Sequence, residues 1–305
     1  MKYLKKIIDN PYRVFNVLSG YGLLNWMSDE SYLKLLFKGK LGRKLDLINP
    51  TTYNEKLQWL KLYDRNPIYT TYVDKYRVRD YVKNTIGEEY LVPLLGVWEQ
   101  PDMIAFNDLP EQFVLKCNHD SGSIIVCTDK NKLNYNKVKE KLAQHLKKGT
   151  FYIGREWPYK DVKPCIIAEQ YLEDKKTKEL RDYKFFVFDG VVKALFIATD
   201  RQTKDKPTAF DFFDVDFNHI DMRHGHPNAP SIPEKPENFE LMKELASKLG
   251  KNMPQARIDF YEVNGKVYFG EITLFHHSGF TKFDPEDWDT IFGSWIDLSK
   301  VEQGS

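Results

Sequence analysis

Residues 256–275, ARIDFYEVNGKVYFGEITLF, narrow what this chain can fold into more than any other stretch. Apolar residues alternate on both sides of Asn264-Gly265, a dipeptide suited to the left-handed backbone of a tight turn, so the stretch reads as a β-hairpin. Its strands nevertheless carry Arg257, Asp259 and Glu271. Successive strand side chains point to opposite faces, and the parity of the turn therefore decides which of them meet. A two-residue turn would set Val263 opposite Lys266 and Asp259 opposite Gly270, with Glu271 on the other face. An odd loop, such as a three-residue type I turn with Gly265 as a left-handed bulge, gathers Arg257, Asp259, Glu271 and Thr273 on one face. It also collects Ile258, Phe260, Tyr268, Ile272 and Leu274 on the other. A one-residue slip would bury the acids and expose the apolar set, so the pattern predicts the odd loop.

Two carboxylates on one face repel unless a positive charge lies between them. Mg²⁺ held by acids and phosphate oxygens is a common solution, with Thr273 able to add a neutral oxygen and Arg257 able to neutralise a phosphate or acyl oxygen. A solvated, salt-bridged face would carry the same residues. The hairpin alone leaves both readings open.

The rest of the chain supplies context. It has 305 residues, enough for a large core in about two domains or lobes, and its 45 Lys and Arg nearly balance 44 Asp and Glu. That balance argues against a nucleic-acid partner and makes any anion site local. Cys117, Cys127 and Cys165 lie far apart with no CxxC, which suits reduced, buried thiols in a cytoplasmic protein. No run of 18 apolar residues exists, and Asp9, Asn10 and Pro11 interrupt the start before a signal-peptide core could form, so neither a transmembrane segment nor export is expected. The basic, aromatic first 40 residues suit a packed amphipathic helix, or a peripheral contact with the inner membrane face or an anionic polymer.

Helical spacing dominates residues 1–88, in YLKLLFKGKLG, in TTYNEKLQWLKLYD with a Thr52–Glu55 capping box, and in PIYTTYVDKYRVRDYVKNTIG up to Gly87. Short strands follow in 89–172 and 173–305, interrupted by the helical YNKVKEKLAQHLKKG and PENFELMKELASKLGKN, with a second hairpin at Asp189-Gly190. The mixture predicts an α+β fold with antiparallel sheets, in three regions: a mainly helical 1–88, a small lobe 89–172 and a central lobe 173–305. The Pro-rich HGHPNAPSIPEKPE reads as a functional or mobile loop.

Several segments could carry chemistry. FVLKCNHDSGSIIVC places Lys116 on a strand before Ser121-Gly122-Ser123, whose backbone N–H groups could meet phosphates, although such turns are also ordinary connectors. CIIAEQYLED ends a buried strand in Glu169-Gln170-Tyr171-Leu172, which could line a slot for a flat base. RDYKFFVFDG puts Asp182 and Lys184 on one strand face. Asp214-Val215-Asp216 has the spacing that glycosyltransferases use for a metal, and is equally an acidic turn. His224 and His226 have a metal-compatible spacing without a third ligand in view. Arg223 could meet an anionic acceptor, and His119 and Asp120 flank the glycine turn with no role assigned.

In their order these segments resemble the ATP-grasp superfamily, and within it the TupA-like group of teichuronopeptide and capsular polysaccharide biosynthesis. The resemblance runs over about residues 50–295, through NEKLQWLKLYDRNP, DKYRVRDYV, FVLKCNHDSGS, EQYL, RDYKFFVFDG and RIDFYEVNGKVYFGEIT. It implies two α+β lobes clasping ATP. Lys75 and Lys116 would contact phosphates, Ser121, Gly122 and Ser123 would close over them, and Glu169, Gln170, Tyr171 and Leu172 would hold adenine, with Asp182 and Lys184 nearby. Asp259 and Glu271 would hold Mg²⁺ with Thr273, which stands where many ligases have Asn. Arg257, Lys116 and Ser278 would form the catalytic set. HHSGF replaces the usual Pro-Gly turn, which would turn His276, His277 and Ser278 towards the acceptor.

The implied reaction is ATP-dependent joining of a carboxylate donor to an amine acceptor through an acyl phosphate. A uronic-acid-containing glycan and an amino acid would be the partners, near membrane-associated polysaccharide machinery. Phosphoryl transfer of this kind needs positioned cations rather than a protein nucleophile, and no Ser/His/Asp or Cys/His signature is seen. A sugar or small-molecule kinase on the same scaffold, a glycosyltransferase, and a non-catalytic assembly protein are the competing readings.

Overall fold

The computed structural model describes residues 15, 18, 19, 22–148, 151–176, 180–200 and 207–301. Of the first 40 residues weighed for membrane contact, residues 1–14, 16, 17, 20 and 21 lie outside the described residues. Among the described residues no helix is long and apolar enough to cross a membrane.

Two antiparallel sheets frame the molecule. The first has the order β1-β4-β2-β3, from Leu94–Trp98 (β1), Phe113–Cys117 (β2), Ile125–Cys127 (β3) and Ile166–Gln170 (β4). The second has the order β11-β10-β5-β6-β7-β8, from Asp182–Phe188 (β5), Val191–Thr199 (β6), Ala209–Phe213 (β7), His219–Ile220 (β8), Ala256–Val263 (β10) and Lys266–Thr273 (β11). A short ribbon pairs Arg223–His224 (β9) with Phe283–Asp284 (β12). The helices are Asp29–Leu41 (α1), Tyr53–Tyr63 (α2), Tyr69–Val73 (α3), Val78–Thr85 (α4), Tyr135–Leu146 (α5), Phe151–Gly154 (α6), Phe239–Leu249 (α7) and Asp287–Ser294 (α8).

Each sheet divides its residues by period two. In the four-stranded sheet Phe113, Leu115, Cys117, Ile166 and Ala168 join Val138 and Leu142 of α5 in one apolar core, which leaves Val114, Lys116 and Glu169 for the opposite face. The three cysteines are buried and free, as the spacing suggested. In the six-stranded sheet Ile258, Phe260 and Phe185 face α7, where Phe185 and Phe239 rings sit 6.0 Å apart. The reverse face carries Phe186 and Phe196, and Phe186 meets Tyr53 of α2 and Phe292 of α8 edge-on. The charged residues of the hairpin lie on this reverse face, beside an aromatic layer supplied by the helices.

Helix α2 begins as the sequence requires, with Thr52 Oγ1 accepting from Glu55 N–H and Glu55 Oε2 accepting from Thr52 N–H. Asp289 of α8 accepts from Asn54 N–H at 2.9 Å, which ties the two helices together. One helical expectation is corrected. PIYTTYVDKYRVRDYVKNTIG breaks into α3 and α4, because Asp74 Oδ1 accepts the N–H groups of Tyr76 and Arg77 and starts a new helix there. The break leaves Lys75 on a turn, its N–H bonded to the carbonyl of Asn118 beside the glycine turn.

Candidate functional site

The hairpin corrects its own forecast. Val263 pairs with Lys266, so the turn is the two-residue form, with Asn264 at φ 52° and Gly265 at φ 75°. Parity changes further along. Phe260 pairs with Phe269 but Asp259 pairs with Glu271, and Gly270 is the extra residue of a bulge. A Cβ on Gly270 would sit 3.1 Å from the carbonyl oxygen of Asp259, so the bulge closes around the missing side chain. Arg257 pairs with Thr273 and Asp259 with Glu271, and the expected face forms by another route. On the near side of the bulge the faces exchange. Val267 and Phe269 join the apolar layer, and Tyr268, expected there, pairs with Tyr261 on the opposite face.

The next strand continues this face. Lys184 of β5 pairs with Asp259, and Asp182 with Tyr261. Lys184 Nζ binds Asp259 directly and stands 3.5 Å from Asp182. Arg257 donates to both oxygens of Asp259 at 2.7 Å and to Glu271 at 3.0 Å, while its remaining terminal nitrogen lies 2.7 Å from Nδ1 of His276. Asp259 is fully buried, and Glu271 is half-buried at the rim. Burial lowers the Lys184 pKa. Burial alone would raise that of Glu271, but the charges of Lys75, Arg257 and Lys184 outweigh it and hold the carboxyl well below the ordinary carboxylate range.

Lys75 bridges this floor to the glycine turn: its Nζ donates to the carbonyl of Asp120 at 2.7 Å and stands 3.7 Å from Glu271. The turn is held from inside. Asp120 accepts from Ser123 Oγ and binds His145 of α5, and Ser123 Oγ in turn accepts from Cys117 N–H. Ser123 is therefore committed to the turn, whereas Ser121 and Gly122 are exposed at its tip.

Lys116 points the other way, with Nζ 2.6 Å from Glu169. These two residues line a cavity of about 300 Å³ with Gln170, Tyr171 and Leu172, walled by Val92, Val114, Ile124 and Val126 and reached by Tyr261 from the second sheet. All four expected adenine-slot residues thus meet in one apolar-walled cavity between the sheets.

Other expectations separate from this centre. Ser278 Oγ lies 2.9 Å from Lys61 Nζ, which also donates to the Ser278 and Gly154 carbonyls. Burial brings the Lys61 pKa down to about 7. Asp214 accepts from the N–H groups of Asp216 and Asn218, so Asp214-Val215-Asp216 is a self-bonded turn with only Asp216 exposed. Arg223 pairs with Asp284 at the surface, 2.9 Å away. His226 packs on Phe210, with ring centroids 4.2 Å apart. His224 does find further imidazoles, but they are His276 and His277, not His226. Burial lowers the pKa of all three, to about 3 for His224 and about 4 for His277.

Several residues at the site had no sequence signal. Arg79 of α4 stands 3.4 Å from Glu169 and anchors on the Val92 carbonyl, a second cation on the slot glutamate. Lys61 looks like one more helix lysine until its burial is seen. Tyr261 shares the Asp259 face of β10 by alternation, yet nothing in the sequence marks it as reaching the slot of the other sheet.

The profile of the TupA-like ATP-grasp family matches residues 55–297. The chain belongs to that family. Its α+β architecture of antiparallel sheets is the ATP-grasp fold. Solved structures similar to it include the D-alanine–D-alanine ligase of Bacillus anthracis, at 18% identity over 70% of this chain and 62% of that one, with a TM-score of 0.41. Another is the D-cycloserine synthetase DcsG, at 15% identity over 77% and 72% of the two chains, with a TM-score of 0.44. The D-alanine–D-alanine ligase of Helicobacter pylori matches at 13% identity over 82% and 68%, with a TM-score of 0.41. The chain thus spans less than two thirds of the Bacillus anthracis ligase. No curated protein matches it in sequence.

Proposed function

We propose that this TupA-like ATP-grasp protein is an ATP-dependent carboxylate–amine ligase acting through an acyl phosphate. The carrying observation is that Lys116 lines the Glu169–Leu172 cavity, that Tyr261 reaches this cavity from the strand bearing Arg257 and Asp259, and that Lys75 joins the glycine turn to Glu271 of the floor. Adenine would occupy the cavity, and the phosphates would run beneath the exposed tip of the glycine turn towards the floor. ADP-bound and Mg-bound structures of the ATP-grasp ligase PsnB and of a biotin carboxylase domain are among those similar to the chain.

The donor set of the floor fits Mg²⁺: two opposed carboxylates, with Glu271 kept ionised by its basic neighbours and open to the rim, offer hard oxygens. Bound there, Mg²⁺ would neutralise phosphate oxygens as charge moves during transfer. The residues of the chain do the rest. A donor carboxylate oxygen attacks the γ-phosphorus, the bond to the β-phosphate oxygen breaks, and ADP leaves. The acceptor amine then attacks the acyl carbon, phosphate departs, and the amine gives up its proton. Arg257, held in plane by Asp259, presents its cation to the transferred group, and Lys75 and Lys116 hold the nucleotide phosphates.

We take the donor and acceptor to be a uronic-acid-containing glycan and an amino acid or amine, used in decorating a cell-surface polysaccharide beside membrane-associated machinery. The family carries that reading. Mass spectrometry of ATP reactions over a panel of uronic acids, amino sugars and amino acids tests it. An amide product, with ADP and phosphate released only when donor and acceptor are both present, is expected. A stable phosphorylated acceptor would make the protein a kinase, and turnover of a nucleotide sugar without ATP would make it a glycosyltransferase.

A further inference from the structure

Strand β9 and the turn after β11 bring three histidines together from positions far apart in sequence. His224, His276 and His277 each offer a ring nitrogen within 4.8 Å of the other two. His224 is 0% and His276 is 1% exposed, and His224 Nδ1, His276 Nε2 and His277 Nε2 are buried without a hydrogen-bond partner. A buried ring nitrogen left unpaired costs about 1–3 kcal/mol, so three of them facing one another call for a shared occupant. The ring nitrogens are almost inaccessible, so the occupant is small: a water molecule, or a single ion with one water as its fourth ligand.

We propose that His224, His276 and His277 form a three-imidazole site for a divalent transition-metal cation of the zinc class. It is separate from the oxygen-lined floor. Imidazole nitrogens select zinc-class ions, whereas Mg²⁺ prefers oxygen. His224 Nε2 lies 3.1 Å from the Thr281 carbonyl, so its proton resides on Nε2 and the Nδ1 lone pair faces the cluster, the arrangement usual for a metal-binding histidine. The backbone is shaped around the third ring. His277 sits at φ 47°, and Gly225, at φ 84°, leaves room that a Cβ would occupy at 2.7 Å from His277 Nε2.

His276 links this site to the floor. Its Nδ1 accepts the one Arg257 N–H donor of the set that is not directed at Asp259 or Glu271. A cation at His276 Nε2 moves the ring proton to Nδ1, which can then no longer accept. Arg257 is thereby released from His276 and keeps its bonds to the acids. Occupancy of the histidine site therefore sets how one terminal nitrogen of Arg257 is aimed.

The test uses the full chain, stripped with a chelator and titrated with Co²⁺ in the absence of ATP and Mg²⁺. Intense tetrahedral d–d absorption saturating at one Co²⁺ per chain, and lost on adding Zn²⁺, is expected. H277G removes one ligand at a positive φ that glycine adopts without strain, so it should fold and bind Co²⁺ roughly 10-fold or more weaker. H224Q should do the same, and circular dichroism checks the fold of each. E271Q, on the floor, should keep the spectrum. Absorption no stronger than that of H277G would overturn the site and leave a water between the rings. Loss of the spectrum in E271Q would overturn it too, by putting the cation on the carboxylates. Neither readout involves ATP, so failure here is distinct from failure of the ligase reading.

Discussion

Two hairpins of the six-stranded sheet share one turn and differ in what their bulges do. Asp189-Gly190 and Asn264-Gly265 both take positive φ at their two central residues, 48° and 78° in the first and 52° and 75° in the second. Both hairpins also carry one extra residue on the returning strand: Lys193 between the partners of Val187 and Phe186, and Gly270 between the partners of Phe260 and Asp259. Lys193 is exposed and its bulge adjoins the turn, so only Val191 and Val192 lie on the turn side. Gly270 lies past four ladder pairs and divides the strand into a segment that packs on the core and one that meets Asp259. The same kind of turn thus closes a central hairpin and an edge hairpin whose returning strand carries Glu271. The bulge, not the turn, decides which face the returning strand presents.

Filling each bulge is the strongest way to break this comparison. A Cβ at residue 270 would sit 3.1 Å from the Asp259 carbonyl oxygen, so Gly270→Val drives the ladder towards the even register in which residue 270 meets Asp259. Either Glu271 then enters the apolar layer or Val267 and Phe269 leave it, and a loss of about 5 kcal/mol, or of cooperative unfolding altogether, is expected in a urea titration. Lys193 already carries an exposed side chain in its bulge, so Lys193→Val is the control and should keep a cooperative transition near the wild-type urea midpoint. Equal damage from the two substitutions would refute the difference.

Asp259→Asn comes next. The side chain is fully buried between Arg257 and Lys184, and the substitution keeps its shape while leaving two cations short of a partner, for a loss of about 3–5 kcal/mol. Nucleotide-dependent activity should fall with it. If Asp259→Asn combined with Glu271→Gln kept full Mg·ATP-dependent activity, the floor would not be the metal site.

Much of this face was legible in sequence, and the missing part has a physical cause. Alternation and the penalty for burying acids were enough to gather Arg257, Asp259, Glu271 and Thr273. They could not say where the odd residue sits, because a glycine inside a strand reads equally as bulge or ladder residue. The break at Asp74 was hidden for a similar reason: VDKYRVRDYV keeps helical spacing across it, and only the side-chain bonds of Asp74 reveal the restart. The Glu169–Leu172 run was legible locally because the end of a buried strand carries it, and its four residues line a cavity. The histidine cluster was invisible because its members are joined by the β9–β12 ribbon and the turn after β11, not by spacing.

A third hairpin, β2–β3, extends the comparison to a turn held by side chains. Asp120 clasps Ser123 and His145 there. Burial would raise the Asp120 pKa, but the bonds from Ser123 and His145 outweigh it and lower the value from the usual 3.8. A depressed carboxyl stabilises the fold above its unfolded value and loses that contribution as pH falls through the folded one. Asp120→Asn should therefore lower stability by about 1.5–3 kcal/mol at neutral pH, with the gap to wild type closing as pH drops below about 4. Urea midpoints measured across that range check the sign. A gap that stays constant would mean that charge plays no part in the latch.

The smallest effects belong to the turn glycines, and they discriminate most finely. Gly265→Ala meets no atom within 4 Å and is penalised only by its φ of 75°, about 1–2 kcal/mol. Gly190→Ala has a similar φ of 78° and sets its Cβ 3.4 Å from the Ser247 carbonyl, so it should lose slightly more. If the bulge at Gly270 fixes the face, Gly265→Ala lowers the urea midpoint yet leaves nucleotide affinity where it was, since Asp259 and Glu271 still oppose each other. If the turn fixed it, loosening residue 265 would let the ladder slip past Gly270. Affinity would then fall together with stability, as for Gly270→Val. Measuring both quantities on one variant separates a turn that closes the hairpin from a turn that places its acids.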